Sequence, residues 1–354
     1  MSRNLDHELT AVHPTLAHED EATSESSSRL RRAVAVGSAA LGLFIGGCGS
    51  PDALPERNAP ETTAPYLVDT TTAQYNNLVT ARDYITDPGT RENLERVIAT
   101  PIAKWLTEPT LERATESVRD GLAAAGQSGS IPVFVTYNMP GSDLGGESAG
   151  GLATPADFQA WVGAISETIA DAPAVVIVEP DALAAIPQMP EAARNERILM
   201  LRGALEAFSD NPQTAVYLDA GHSDWLDARE VATLLSEVDP SGALIRGIAL
   251  NVSNQRPTVE SRAYAAQLRE LFGDLFVIHD VSMNGAQNTA DLVEWCNPEG
   301  EYIGTPDDLT FDPLNRDEEI YVKEPGPSDG QCGTAPDVPA GEFSGSLLVD
   351  QLTP

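Results

Sequence analysis

Lysine is almost missing from this 354-residue chain: of its 21 basic residues only Lys104 and Lys323 are lysine, and 54 acidic residues leave a formal net charge of −33. A field of that sign repels phosphate, so nucleic acid and anionic membrane surfaces are excluded as partners. An acidic, lysine-poor surface suits high-salt or carbohydrate-rich surroundings and favours solubility. Three cysteines, Cys48, Cys296 and Cys332, are too few for a disulfide scaffold. Of five histidines, His7, His13 and His18 fall in the polar N-terminal stretch; His222 and His279 alone cannot build a His-rich metal centre, so neither metal nor cofactor is expected. A phosphate-cradling loop is missing too, because Asn138-Met139-Pro140-Gly141-Ser142-Asp143 lacks the glycine spacing and the lysine that chemistry needs. Ser148 does not stand in a nucleophile elbow.

Long apolar runs number one. Residues 33–47 (AVAVGSAALGLFIGG) follow Arg29, Arg31 and Arg32 and end at Cys48. A basic stretch, about 15 apolar residues and a small-residue boundary describe an export signal, too short for a span of about 20. Ile45-Gly46-Gly47-Cys48 also resembles a bacterial lipobox, which would make Cys48 the lipidated first residue of an extracellular or cell-surface protein. The membrane would then be met only through this N-terminal anchor. Residues 1–48 are therefore read as tail and signal, and 49–65, rich in Pro and Thr, as a linker. Residues 66–350 form a single domain, expected to be monomeric, and 42% hydrophobic residues are enough for a sizeable core.

Within that domain short β-rich runs alternate with helical patterns. The runs are 131–137, 174–179, 215–219, 245–252, 275–281 and 319–323, with Tyr66–Asp69 as a weaker first strand. They are almost continuously apolar, as parallel strands covered on both faces must be. Helical periodicity falls near 155–171, 191–209, 228–238 and 258–272; Ile198, Leu201, Leu205 and Phe208 share one face, and Asn211-Pro212 ends that run. Right-handed βαβ units follow, and the fold class is α/β: a doubly wound sheet or a parallel β/α barrel.

The strand ends favour the barrel. Tyr137, Asn138 and Asp143 follow one strand; Glu179 and Asp181 the next; then Asp219 and His222, Asn251 and Asn254, Asp280 and Asn284, and finally Lys323 and Asp329. In a barrel these ends meet on one face, and carboxylates that repel one another gather there for chemistry rather than stability. Carboxylates with amides and a few tryptophans are the equipment of glycoside hydrolysis, in which one acid protonates the leaving oxygen and another carboxylate activates water. Trp105, Trp225 and Trp295 can stack on sugar faces, whereas Trp161 falls in a helix and is assigned to the core. His279 and Asp280 are read as structural.

The blocks 135–151 (VTYNMPGSDLGGESAGG), 176–184 (VIVEPDALA), 217–226 (YLDAGHSDWL), 249–254 (ALNVSN), 294–304 (EWCNPEGEYIG) and 321–332 (YVKEPGPSDGQC) together resemble glycoside hydrolase family 6, the inverting cellulases. The resemblance implies a distorted TIM-like parallel β/α barrel that cleaves β-1,4-glucan. Asp181 matches the general acid, Asp143 the second essential aspartate, Asp329 the carboxylate proposed as base, and Tyr137 the tyrosine beneath the reactive sugar. Inversion places acid and base about 6.5–9.5 Å apart. Asp219, His222, Trp225, Asn251, Trp295 and Lys323 match sugar contacts, with Trp105 as a further stacking candidate, and Cys296 and Cys332 match a disulfide closing a loop of about 36 residues around Asp329.

Three departures stand out. Ser142 and Leu144 replace the family's Arg and Cys around the second aspartate, Pro327 replaces a Glu near Asp329, and Met283 replaces an Arg. The span from Asp143 to Asp181 is 38 positions and must already hold a helix and a strand, leaving little for a roof over the cleft. An open cleft and internal cleavage are therefore expected. The alternatives are a glycan-binding lipoprotein that has lost turnover, and a hydrolase of the cell's own surface glucan.

Overall fold

In the computed structural model the apolar runs become parallel strands buried on both faces. Residues 57–142, 150–285, 296–298, 300–307, 309–330, 338–339 and 341–353 are described. The strands are β1 (Ala64–Pro65), β2 (Lys104–Leu106), β3 (Val133–Thr136), β4 (Ala174–Val178), β5 (Thr214–Asp219), β6 (Gly247–Leu250), β7 (Phe276–Asp280), β8 (Thr310–Phe311) and β9 (Asp317–Ile320). The helices are α1 (Ala73–Ala81), α2 (Pro88–Ala99), α3 (Leu111–Ser128), α4 (Pro155–Ile169), α5 (Glu191–Phe208), α6 (Ala228–Val238), α7 (Thr258–Phe272) and α8 (Gly345–Leu352). Seven strands form one sheet in the order β2-β3-β4-β5-β6-β7-β9, every neighbouring pair parallel. The sheet curls until its outer strands meet: Ile102 and Tyr321 form a single parallel bridge, and Trp105 Nε1 donates to the Val322 carbonyl at 2.8 Å. The result is a distorted α/β barrel closed at one point instead of by a full ladder.

Alternate residues of each strand serve two cores. Val175 and Ile177 of β4 and Ala215 and Tyr217 of β5 face the lumen with Val133, Val135, Ile278 and Ile320. Val176, Val178, Val216 and Leu218 face outward against α4, α5 and α6, where Trp161, Ile165, Leu201, Leu205 and Leu235 lie. Trp161 is fully buried, as expected. Helix starts follow local chemistry: Thr154 accepts the Asp157 N–H ahead of Pro155, and Asp227 accepts that of Glu230.

The first barrel strand is a correction. Tyr66–Asp69 does not join the sheet; Tyr66 makes one bridge to Ile131, and β1 pairs antiparallel with β8. The Tyr66 side chain explains this, since its hydroxyl donates to Glu318 and its ring meets Phe311 edge-on at 6.2 Å. The segment closes the N-terminal end of the barrel. Its true first strand, β2, is three residues long and carries Lys104 and Trp105, so it lacks an apolar run.

Asp280 ties three strand ends together. Its Oδ1 accepts from Ser282 N and Val322 N, and its Oδ2 from Ser253 N and Lys323 N, at 2.9–3.1 Å. His279 is equally internal, between Ser261 Oγ at 2.7 Å and Asp317 Oδ1 at 3.2 Å. Asp280→Ala would leave four N–H groups without their acceptor, two of them in buried bonds and two in part-buried ones. Urea unfolding should therefore show a loss of about 3 kcal/mol or more, with Asp280→Asn intermediate. A loss below about 1 kcal/mol for the alanine variant would contradict this role.

Candidate active site at the carboxyl end of the barrel

The turns leaving the strands are conformationally unusual. Six described non-glycine residues have positive φ, and five of them, Glu179 (46°), Asp181 (68°), Asn251 (66°), Ser253 (58°) and Asn297 (42°), lie in the segments leaving β4 and β6 or beside Asp329. Such conformations cost energy and persist only where surrounding bonds impose them. Here buried carboxylates impose them. Asp219, at the end of β5, accepts the Asp181 N–H at 2.9 Å and the Gly221 N–H at 3.1 Å with one oxygen. Gly221 has a φ of 69°, and a Cβ there would come within 3.0 Å of Ala184 Cβ.

Asp219 is 1% exposed and its second oxygen has no hydrogen-bond partner. Burial first, then the negative charge of Asp181 and also of Asp280, hold its pKa well above the usual carboxylate range against the pull of the two N–H groups. Glu179 stands one strand end away. Its carboxylate accepts the N–H groups of Asn138 and Met139, and burial still raises its pKa to about 7. The guanidinium of Arg197, buried on α5, donates to the carbonyls of Pro140 and Gly141 at 3.2 and 2.9 Å. Ser142 bridges Gly150, so Glu179 and Arg197 together hold both the start and the middle of the loop that leads into Asp143.

On the other side, Trp105 and Tyr137 pack edge-on with centroids 5.4 Å apart. Lys323 Nζ stands 3.9 Å from Asp329 Oδ1, and Asp329 and Asn297 exchange reciprocal bonds, each backbone N–H to the other's side-chain oxygen at 2.9 Å. Pro327 is buried and bridges Phe343 beside them. Glu301 is lifted to about 8, first by burial and then by the charge of Asp329, against hydrogen bonds from Gln255 and Gln351. His222 lies 5.7 Å from Trp225, ring centre to ring centre, and burial lowers its pKa to about 4.

The structure thus brings Tyr137, Asp181, Asp219, His222, Trp225, Lys323, Asp329 and Trp105 to the strand ends or the segments leaving them. Asn251 has a different position from that expected of a sugar contact. It is fully buried, its Nδ2 donates to the carbonyls of Asn254, Arg256 and Asp280, and its Oδ1 accepts Arg256 N. Its amide is wholly used in shaping the loop. Asp143, Trp295, Cys332 and Cys48 lie outside the described residues; Cys296 is buried. Arg197, Asn297 and Glu301 escaped the sequence reading. For Arg197 a signal existed: it falls on the same helical stripe as Leu201, Ala204 and Phe208, where a charge must have a partner.

A parallel barrel whose carboxyl end carries acids, an amide network and aromatic rings is the frame of a glycoside hydrolase. The sequence profile of the glycosyl hydrolases family 6 matches residues 62–345, and the chain belongs to that family as an endoglucanase-like cellulase. It is 38% identical to Endoglucanase 1 of Streptomyces halstedii over 252 residues, covering 69% of this chain and 75% of the relative. With Endoglucanase A of Cellulomonas fimi it shares 33% over 279 residues, 78% of this chain and 59% of that one. The endoglucanase Cel6 from Mycobacterium tuberculosis, solved with methyl-cellobiosyl-4-deoxy-4-thio-β-D-cellobioside, superposes with a TM-score of 0.72 at 34% identity, over 81% of this chain and 96% of that chain.

The raised carboxyls set a pH dependence. Glu179 and Glu324 at about 7 and Glu301 at about 8 all lie above their ordinary 4.5, so the stability they contribute is complete below about 4.5 and lost as pH rises through 7–8. His222, lowered from 6.5 to about 4, acts the other way, but only below 6.5. The melting temperature should therefore fall between pH 6.5 and 8.5, with a shallower fall in Glu301→Gln. A melting temperature that rises across this window would refute the assignment.

Proposed function

We propose that this protein hydrolyses internal β-1,4-glucosidic bonds with inversion, using Asp181 as general acid. The observation that carries the reading is the Asp181–Asp219 pair: a half-buried acid in a left-handed turn, anchored by its own N–H to a buried carboxylate with an unmatched oxygen. Two carboxylates in a water-poor site repel, and between them they keep a proton at a pH where isolated acids have lost both. Asp181 gives that proton to the glycosidic oxygen as its bond to the anomeric carbon breaks. A water attacks the carbon from the opposite face and yields its proton to a carboxylate across the cleft. Asp329 takes that second role, oriented by Asn297 and Lys323, with Asp143 tuning the acid and helping to place the water.

Tyr137, buttressed by Trp105, lies beneath the reactive sugar and favours a distorted ring. Trp105, Trp225 and Trp295 offer stacking faces, and Asp219, His222 and Lys323 polar contacts. Asn251 acts by shaping the loop beneath them. Ser142 removes a cation from beside Asp143, and Arg197 holds the loop leading into it through two carbonyls. Internal cleavage accords with the short segment between Asp143 and Asp181 and with the endoglucanase names of the relatives. We place residues 1–48 as the tail and export signal, with lipid attachment at Cys48, 49–65 as the linker and 66–350 as the catalytic barrel. A Cys296–Cys332 disulfide, suited to an exported chain, closes the Asp329 loop.

The test follows the anomeric protons by NMR while the protein acts on cellohexaose. The α-anomer should appear first, and Asp181→Ala should lower turnover by about 10²–10⁴-fold with oligosaccharide binding retained. First release of the β-anomer would exclude inversion. No turnover by the unmodified protein, with binding intact, would make it a glycan-binding protein.

A further inference from the structure

Glu301 is a carboxyl group only 5% exposed, and the hydrolysis proposed above gives it no role. It lies between β7 and β8 and is met by two buried, neutral amides. Gln351 Nε2, on α8, donates to its Oε1 at 2.6 Å, and Gln255 Nε2, in the loop leaving β6, donates to its Oε2 at 3.4 Å. Gln351 carries the connection further. Its side-chain oxygen accepts the Gly326 N–H at 2.8 Å, and its carbonyl accepts the Ile303 N–H at 3.1 Å. Gly326 opens the short loop that leads to Asp329, with a φ of 99° that glycine adopts easily and other residues do not.

The far end of that loop is held by the same stretch of chain. Asn297 exchanges bonds with Asp329, and its Nδ2 also donates to the Gly330 carbonyl at 3.1 Å. The segment from Asn297 to Glu301 therefore grips the Asp329 loop twice, directly at Asp329 and Gly330 and through Gln351 at Gly326. The charges that act on Glu301 are those of Asp329 and Lys323.

We propose that Glu301 is a positioning residue for Asp329, fixing the loop on which that carboxylate stands and leaving the Lys323 ammonium to it. The inference rests on Asp329 receiving the proton of the attacking water. Burial, then the charge of Asp329, raises the pKa of Glu301 to about 8 against the two amides and Lys323, so the group is protonated at neutral pH. In that form it does not repel Asp329. Once ionised it would repel Asp329 and compete for Lys323, whose Nζ stands 3.9 Å from Asp329 Oδ1.

Turnover of 2,4-dinitrophenyl β-cellobioside by the full chain tests this. Its acidic phenol leaves without a proton, so the rate reports on water activation and not on the general acid. In the unmodified protein kcat should fall as pH rises through about 8, and Glu301→Gln, which cannot ionise, should lose that limb. Near neutral pH Glu301→Ala should lower kcat about tenfold or more with KM within about twofold, and Glu301→Gln should recover most of the loss. If Glu301→Ala does not fold, the profile of Glu301→Gln decides alone. No limb near pH 8 in the unmodified protein, its survival in Glu301→Gln, or an unchanged kcat in folded Glu301→Ala overturns the proposal. Asp329→Asn separates the two readings. Retained turnover in that variant removes the base assignment itself, whereas its loss, with wild-type behaviour of both Glu301 variants, removes only the role of Glu301.

Discussion

The carboxyl end of this barrel depends on carboxylates buried where backbone N–H groups can hold them. Parallel strands all end in the same direction, so the chain must turn away seven times around one small opening. The turns after β4 and β6 do so through left-handed residues, which aim N–H groups inward instead of along a ladder. Asp219 collects those of Asp181 and Gly221, Glu179 those of Asn138 and Met139, and Asp280 those of Ser253, Ser282, Val322 and Lys323. Asp219 and Asp280 each stabilise a left-handed turn, and all three acids receive N–H dipoles that offset part of their desolvation. Structure and chemistry thus share the same groups.

That arrangement divides the acids by role. Asp280 has all its acceptors occupied and belongs to the frame. Asp219 has one oxygen bonded and one unmatched, and it faces the charge of Asp181, so it is the group whose protonation responds to what happens beside it. Asp329 is held by Asn297 but lies 3.9 Å from the only lysine on that side, which leaves its charge partly balanced.

Much of the fold could be read from the residues because parallel strands buried on both faces leave a distinctive apolar run. Six of the seven barrel strands and α4 to α7 fall where periodicity and caps place them. β2 was hidden because Lys104 and Trp105 occupy a three-residue strand, and α1 to α3 because their faces are small and mixed. Tyr66 misled for a physical reason: an aromatic segment that plugs a barrel end looks like a strand in one dimension. At the site, the carboxylates were readable from their positions after each strand. Asn251 shows the limit of that logic, since an amide at a strand end can be spent entirely on the backbone of its own loop and of the neighbouring strand end. Arg197 and Asn297 act across long sequence separations, and only packing reveals their partners.

The central claim is that burial and the charge of Asp181 hold the Asp219 carboxyl protonated well above the ordinary carboxylate range, so that the two acids act as a pair. Carboxyl-carbon NMR of protein labelled at aspartate, assigned with Asp181→Asn and Asp219→Asn, measures this directly. The account predicts one resonance titrating well above the ordinary carboxylate range, and a downward shift of the remaining acid when its partner is neutralised. Two independent titrations near the ordinary value, unmoved by either substitution, would contradict it.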